Sequence, residues 1–79
     1  MIQHNEENYI KHYNLEKRLI LGRLNNELSN EEEDQILDEM ELLWYGLTNR
    51  QRKFCDERSD MWHKSKMSMQ DFNTIYNIE

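Results

Sequence analysis

Apolar side chains recur every three or four positions along most of the chain, and the phase of that recurrence breaks three times. Between Glu6 and Leu28, the residues Tyr9, Ile10, Tyr13, Ile20, Leu21, Leu24 and Leu28 share one stripe. This spacing predicts a long amphipathic helix. Lys17 lies inside the stripe and is expected to lay its stem on the core with its ammonium in water. Leu15 and Leu19 fall on the far side, one turn apart and close to Gly22, and suggest a second apolar interface. A second helix is predicted over about Glu31 to Tyr45, where Ile36, Met40, Leu43 and Leu47 form a stripe that Leu37 and Trp44 widen. A third, about Asn49 to His63, is expected to bury Phe54, Cys55, Met61 and Trp62, with Arg58 in the middle of that face. Met69, Phe72, Ile75 and Tyr76 predict a short C-terminal helix.

The breaks carry their own signals. Asn25 to Asn30 reads as the first turn, and Ser29 with Glu32 has capping-box spacing, the hydroxyl and the carboxylate each satisfying a backbone N–H at the helix start, with Asn30 as the alternative cap. Thr48 with Gln51 and Ser68 with Asp71 repeat the pattern, while Gly46 is placed to end the second helix in a left-handed cap. The short link between the second and third helices predicts an antiparallel hairpin. The expected architecture is all-α, a single domain over 1–79. It is a small bundle of three main helices, a long first helix plus the helix 2–helix 3 hairpin, followed by the short terminal helix.

Composition supports that reading. The chain has no Pro and two Gly, so little interrupts a helix. A core of 79 residues contributes only about 3–5 kcal/mol net, so packing must be tight or a partner must assist. The surplus apolar surface of the long first helix suggests a homodimer, with Leu15 and Leu19, and also Leu42, as candidate seam residues. One cysteine, Cys55, allows no disulfide within the chain and fits a reducing, cytoplasmic setting. No apolar run is long enough to span a bilayer.

Charge is distributed in blocks. Glu31 to Leu47 holds seven carboxylates and no Lys or Arg, and Thr48 to Met67 answers with six bases against three acids. Glu31, Asp34, Asp38 and Glu41 line one ridge of the second helix opposite its apolar face, with Leu42 and Tyr45 beside them. Acids in the first turn are favoured by the helix dipole, but Asp38 and Glu41 lie beyond its reach. Such a ridge serves solubility in many small proteins. An aromatic anchor rimmed by charge also resembles a protein-binding hot spot, and the expected partner is a protein with a basic surface. A net charge of −6 makes general nucleic-acid binding unfavourable, and four carboxylates reproduce only a short stretch of a nucleic-acid backbone.

Candidate chemistry is sparse. His12 and Glu16 stand at i, i+4, a spacing two metal ligands can share, but the sequence offers no second pair, so no metal or other cofactor is expected. Cys55 and His63 lie two turns apart without an orienting carboxylate or amide, so no nucleophilic centre is expected and the chain reads as non-enzymatic. Arg52 and Lys53 are expected along the flank of the second helix, partly neutralising its acids, and Glu33 is the expected partner of Arg58.

The run Leu47-Thr48-Asn49-Arg50-Gln51-Arg52 resembles the start of DNA-binding regions in some bacterial transcription factors. That likeness implies a small helix-turn-helix-like regulator touching phosphates through Arg50, Arg52 and Lys53, although the following residues lack the Gly-containing turn and second helix of such a domain. In size, acidity and Asn/Ile/Lys/Glu usage the chain is similar to small accessory proteins of phages and mobile elements, some of which inhibit host enzymes. The favoured expectation is therefore a protein-binding accessory or inhibitor module; an acidic nucleic-acid mimic and the DNA-binding regulator are the alternatives.

Overall fold

The computed structural model describes residues 3–76, which are arranged as four helices with no strand among them. They are α1 (Gln3–Asn25), α2 (Asn30–Trp44), α3 (Asn49–Lys64) and α4 (Met69–Tyr76). Among the described residues, no helix is long and apolar enough to cross a membrane.

All three expected capping pairs form. Ser29 and Thr48 accept from the N–H groups of Glu32 and Gln51, whose side chains accept in return from the cap N–H. Ser68 Oγ accepts from Asp71 N at 3.1 Å, and Asp71 Oδ2 accepts from Ser68 N at 3.4 Å, opening α4 in the same way. The C-termini are less regular. Asn26 occupies the left-handed region at φ 58°, with Glu27 N donating to Gly22 O and Asn26 N to Arg23 O. This is a Schellman ending, in which asparagine tolerates the conformation glycine usually supplies. It folds Leu28 onto Gly22 so closely that a Cβ there would collide with Leu28 Cγ.

The expected left-handed cap at Gly46 is not formed. Tyr45 closes α2 in right-handed geometry, and Gly46 N and Leu47 N donate to Leu43 O and Trp44 O in a tightened last turn. The orphan carbonyls of Trp44 and Tyr45 are satisfied by Arg52, whose Nε and Nη2 reach them at 3.1 and 3.2 Å.

Helix packing departs from the expected hairpin. α1 and α2 run antiparallel and pack most closely, with Arg23 against Glu33 at one end and His12 against Trp44 towards the other. α3 packs on α4, and α4 lies on α1. α2 and α3 make no comparably close approach, although a short turn joins them. Their separation leaves a cavity of about 230 Å³, lined by Met40 and Trp44 on one side and by Asp56, Ser59 and His63 on the other.

The apolar core lies under α4: Ile20, Trp62, Phe72, Ile75 and Tyr76 are buried together, flanked by Tyr13 and Leu24. Trp62 meets the rings of Phe72 and Tyr76 edge-on, a favourable aromatic arrangement. Lys17 lies over the Tyr13 ring at 5.3 Å, as a snorkelling lysine does.

Several expected faces are corrected. Leu19 is 5% exposed, and Ile10 and Leu21 are the leucine and isoleucine of α1 that face outward. The buried face of α1 is thus turned by roughly a quarter of a turn from the stripe read in sequence. It is centred on His12 and Glu16, two polar residues that the apolar pattern discounts. A dimer seam through Leu15 and Leu19 is therefore withdrawn: Leu19 is inside the fold and Leu15 is half-buried. Phe54 and Met61 are also exposed, because Arg58 takes the centre of the α3 face and leaves them at its margin; Leu37, on α2, is exposed as well.

Candidate functional site

Two features of the fold could carry function: the outward face of α2 and a polar cluster buried beneath the cavity.

Ile36 is buried against the rest of the fold, so the helical repeat directs Glu31, Asp34, Asp38 and Glu41 outward on the opposite side. All four are exposed, and Leu42 and Tyr45 among them are 74% and 69% exposed. Tyr45 donates its hydroxyl to Glu41 Oε2 at 3.5 Å, a long bond that leans the ring along the ridge. Among the described residues, none of the four carboxylates forms an ion pair; the four pairs present join Glu7, Glu16, Glu33 and Asp60 to bases.

The expected neutralisation from the start of α3 does not occur. Arg52 is turned to the end of α2, bonded to two carbonyls and stacked on the Trp44 ring at 5.7 Å. Arg50 lies over Phe54 at 5.8 Å. Of the three bases that the resemblance to DNA-binding regions required, two are thus engaged within the fold, and Lys53 makes no contact of this kind among the described residues.

The second feature was not assembled from the sequence. Arg58 does not pair with Glu33, which instead bonds Arg23; its partner is Glu16, with Nη2 3.0 Å from Oε1 and both side chains about nine-tenths buried. Tyr76 donates to the other oxygen, Oε2, at 2.6 Å. Arg58 Nη1 donates to the Tyr9 hydroxyl at 3.0 Å, and its guanidinium lies 4.6 Å from the Tyr13 ring centre and 5.7 Å from that of Tyr76. Tyr13 in turn donates to the Tyr76 carbonyl at 2.6 Å. Residues from α1, α3 and α4 are thereby tied into one network. Beside it, Cys55 Sγ lies 3.7 Å from both His12 Nδ1 and Arg58 Nη2. His12, Glu16 and Cys55 all line the cavity between α2 and α3.

The surroundings shift the protonation of these groups. Burial works against the Arg58 charge, but Glu16 and the hydrogen bonds to Tyr9 and Glu16 outweigh it and hold the guanidinium above its ordinary value. Burial pushes the His12 imidazole below 6.5; Glu16 opposes this and Arg58 adds to it. Burial raises the Cys55 thiol above 9.0 against the opposing Arg58 charge. Burial, followed by the Glu16 hydrogen bond and charge, raises the Tyr76 phenol above 10.0.

A two-sided pH profile of stability follows. The unfolded chain binds the His12 proton more readily, so this contribution is present above pH 6.5 and is lost as pH falls towards the depressed folded value. Cys55 and Tyr76 hold their protons more tightly when folded. Their contributions are present below pH 9.0 and 10.0, respectively, and are lost as pH rises past those values. Each proton of difference is worth about 1.4 kcal/mol per pH unit. Urea midpoints should decline on both limbs, and Tyr76→Phe should flatten the alkaline one. Midpoints that stay level on both would contradict this account.

The signals for the cluster were present but unconnected: an arginine on an apolar face, and a histidine and glutamate at i, i+4. Cys55 completes the set from 43 residues beyond His12, a pairing no local pattern encodes. No protein family model, curated protein or solved structure matches this chain, so its function rests on these surfaces and contacts.

Proposed function

We propose that the chain is a non-enzymatic protein-binding module, of accessory or inhibitor type, that engages a cationic partner through the outward face of α2. The observation that carries this reading is the exposure of Leu42 and Tyr45 among Asp34, Asp38 and Glu41, with no base among the described residues drawn onto those acids. Like charges at three- and four-residue spacing destabilise a helix by about 0.2–0.5 kcal/mol per pair. A partner bearing Lys or Arg relieves that repulsion, and the apolar pair supplies desolvated contact at the centre of the patch. The rival DNA-binding reading is weakened by the internal engagement of Arg50 and Arg52.

The test is capture from the source lysate with the wild type, Asp38→Lys/Glu41→Lys and Leu42→Ala/Tyr45→Ala, followed by titration of the purified retained protein. All these side chains are exposed, so circular dichroism should show intact helices throughout. The expected partner is lost with both variants, and its affinity falls by about 30-fold or more on removing Tyr45, the effect of a hot-spot aromatic. Affinity should also weaken with salt. Equal retention by all three forms, or nucleic acid bound more strongly after charge reversal, would overturn the reading.

A further inference from the structure

We propose that His12, Glu16 and Cys55 form a site for a borderline-soft divalent transition metal, zinc, with a coordination position open to the cavity between α2 and α3. This inference does not depend on the ridge of α2. The three side chains are buried, and their ligand atoms lie within 4.8 Å of one another. Bonds of about 2.0–2.3 Å at tetrahedral angles set ligand atoms roughly 3.3–3.8 Å apart. Cys55 Sγ and His12 Nδ1 are already at 3.7 Å, so closing the set requires only small side-chain movements. A thiolate with an imidazole selects zinc over hard cations such as magnesium and calcium, which prefer all-oxygen shells.

The local fold suits such a site. His12 and Glu16 are one turn apart on α1, which holds both at fixed spacing, and Cys55 comes from α3 across the cavity floor. Three protein ligands leave a fourth position, and it faces a space of about 230 Å³ lined also by Asp56, Ser59 and His63. Arg58 and Tyr76 hold one lone pair on each Glu16 oxygen and leave the others for a metal. Outer donors of this kind commonly orient metal-bound carboxylates. The Arg58 charge repels a dication, but the thiolate and the carboxylate together bring two negative charges to it, and Arg58 Nη2 points at both. Binding exchanges waters of the hydrated ion for Zn–N, Zn–O and Zn–S bonds, and the S–H bond breaks with its proton released to solvent.

The full chain, stripped with chelator, should be titrated with cobalt(II) as a spectroscopic probe, and with zinc in competition with a chromophoric chelator. The expected result is one metal per chain, a sulfur-to-cobalt charge-transfer band, and strong visible bands of a tetrahedral centre. Cys55→Ala and His12→Gln should each lower zinc affinity by at least about 100-fold, since even outer-sphere changes cost about 10–100-fold. Asp60→Asn, on the exposed side of α3, should leave it unchanged. X-ray absorption of the zinc-loaded wild type should show one sulfur and otherwise nitrogen or oxygen neighbours, which decides the matter even if a variant fails to fold. Absence of sulfur from the shell, or affinity retained in folded Cys55→Ala and His12→Gln variants, would overturn the proposal.

Discussion

Arg58→Ala is expected to leave the chain largely unfolded at room temperature. Removing one partner of a buried ion pair costs about 3–5 kcal/mol, because the other charge stays buried without compensation. Here that partner is Glu16, held at 3.0 Å by the guanidinium. A core of this size contributes about 3–5 kcal/mol net, so the loss is comparable to the whole stability. The substitution also removes packing on three tyrosine rings. The comparison that isolates the cause is a triple variant, Glu16→Leu with Arg58→Met and Tyr76→Phe, which removes the buried ion pair together with the hydroxyl bonded to Glu16. Replacing a buried pair by apolar side chains is often neutral or stabilising by about 1–4 kcal/mol, and Arg58 Nε has no hydrogen-bond partner among the described residues. The triple variant should therefore recover most of the urea midpoint that the single one loses. A wild-type midpoint for Arg58→Ala would mean that the network does not organise the fold.

Phe72→Ala is expected to cost about 3–5 kcal/mol, the usual range for truncating a buried aromatic. Phe72 stacks on Tyr76 and meets Trp62 edge-on, at 5.3 and 6.4 Å between ring centres. Among the described residues α4 has eight, too few to be stable alone, so its helix exists because this face is buried. Losing the anchor releases α4, and with it the Tyr76 hydroxyl that holds Glu16. Proteolysis should then cut first around Lys64 and Lys66, and amide exchange in α4 should accelerate before that of α1. Uniform acceleration through all helices would instead show α4 to be inseparable from the rest.

The helices and their starts were legible because the signals are local. Ser29–Glu32, Thr48–Gln51 and Ser68–Asp71 each satisfy first-turn N–H groups within one turn, so their geometry needs nothing from the remainder of the chain. The ends were harder. The left-handed residues are Asn26 and Met67 rather than Gly46, since the termination of α2 depends on Arg52 reaching back to its carbonyls. The outward position of Asp34, Asp38, Glu41, Leu42 and Tyr45 was legible too, because it follows from helical phase once Ile36 is buried.

The rotation of α1 was not. Counting apolar residues favoured Ile10 and Leu21 as core and turned Leu19 outward, whereas the buried face holds His12, Glu16 and Leu19. A polar residue belongs inside only when its partners are in place, and those partners, Cys55, Arg58 and Tyr76, arrive from 42 or more residues away. The sequence by itself thus determined four helical segments, the N-terminal caps of α2, α3 and α4, and the acidic outward ridge of α2, all consequences of interactions within a turn or two. Only the tertiary structure decided which face of α1 is inside, that α1 pairs most closely with α2, and that a histidine, a glutamate and a cysteine converge beside a cavity. Those outcomes depend on satisfying buried polar groups across the fold, and that condition has no local period to read.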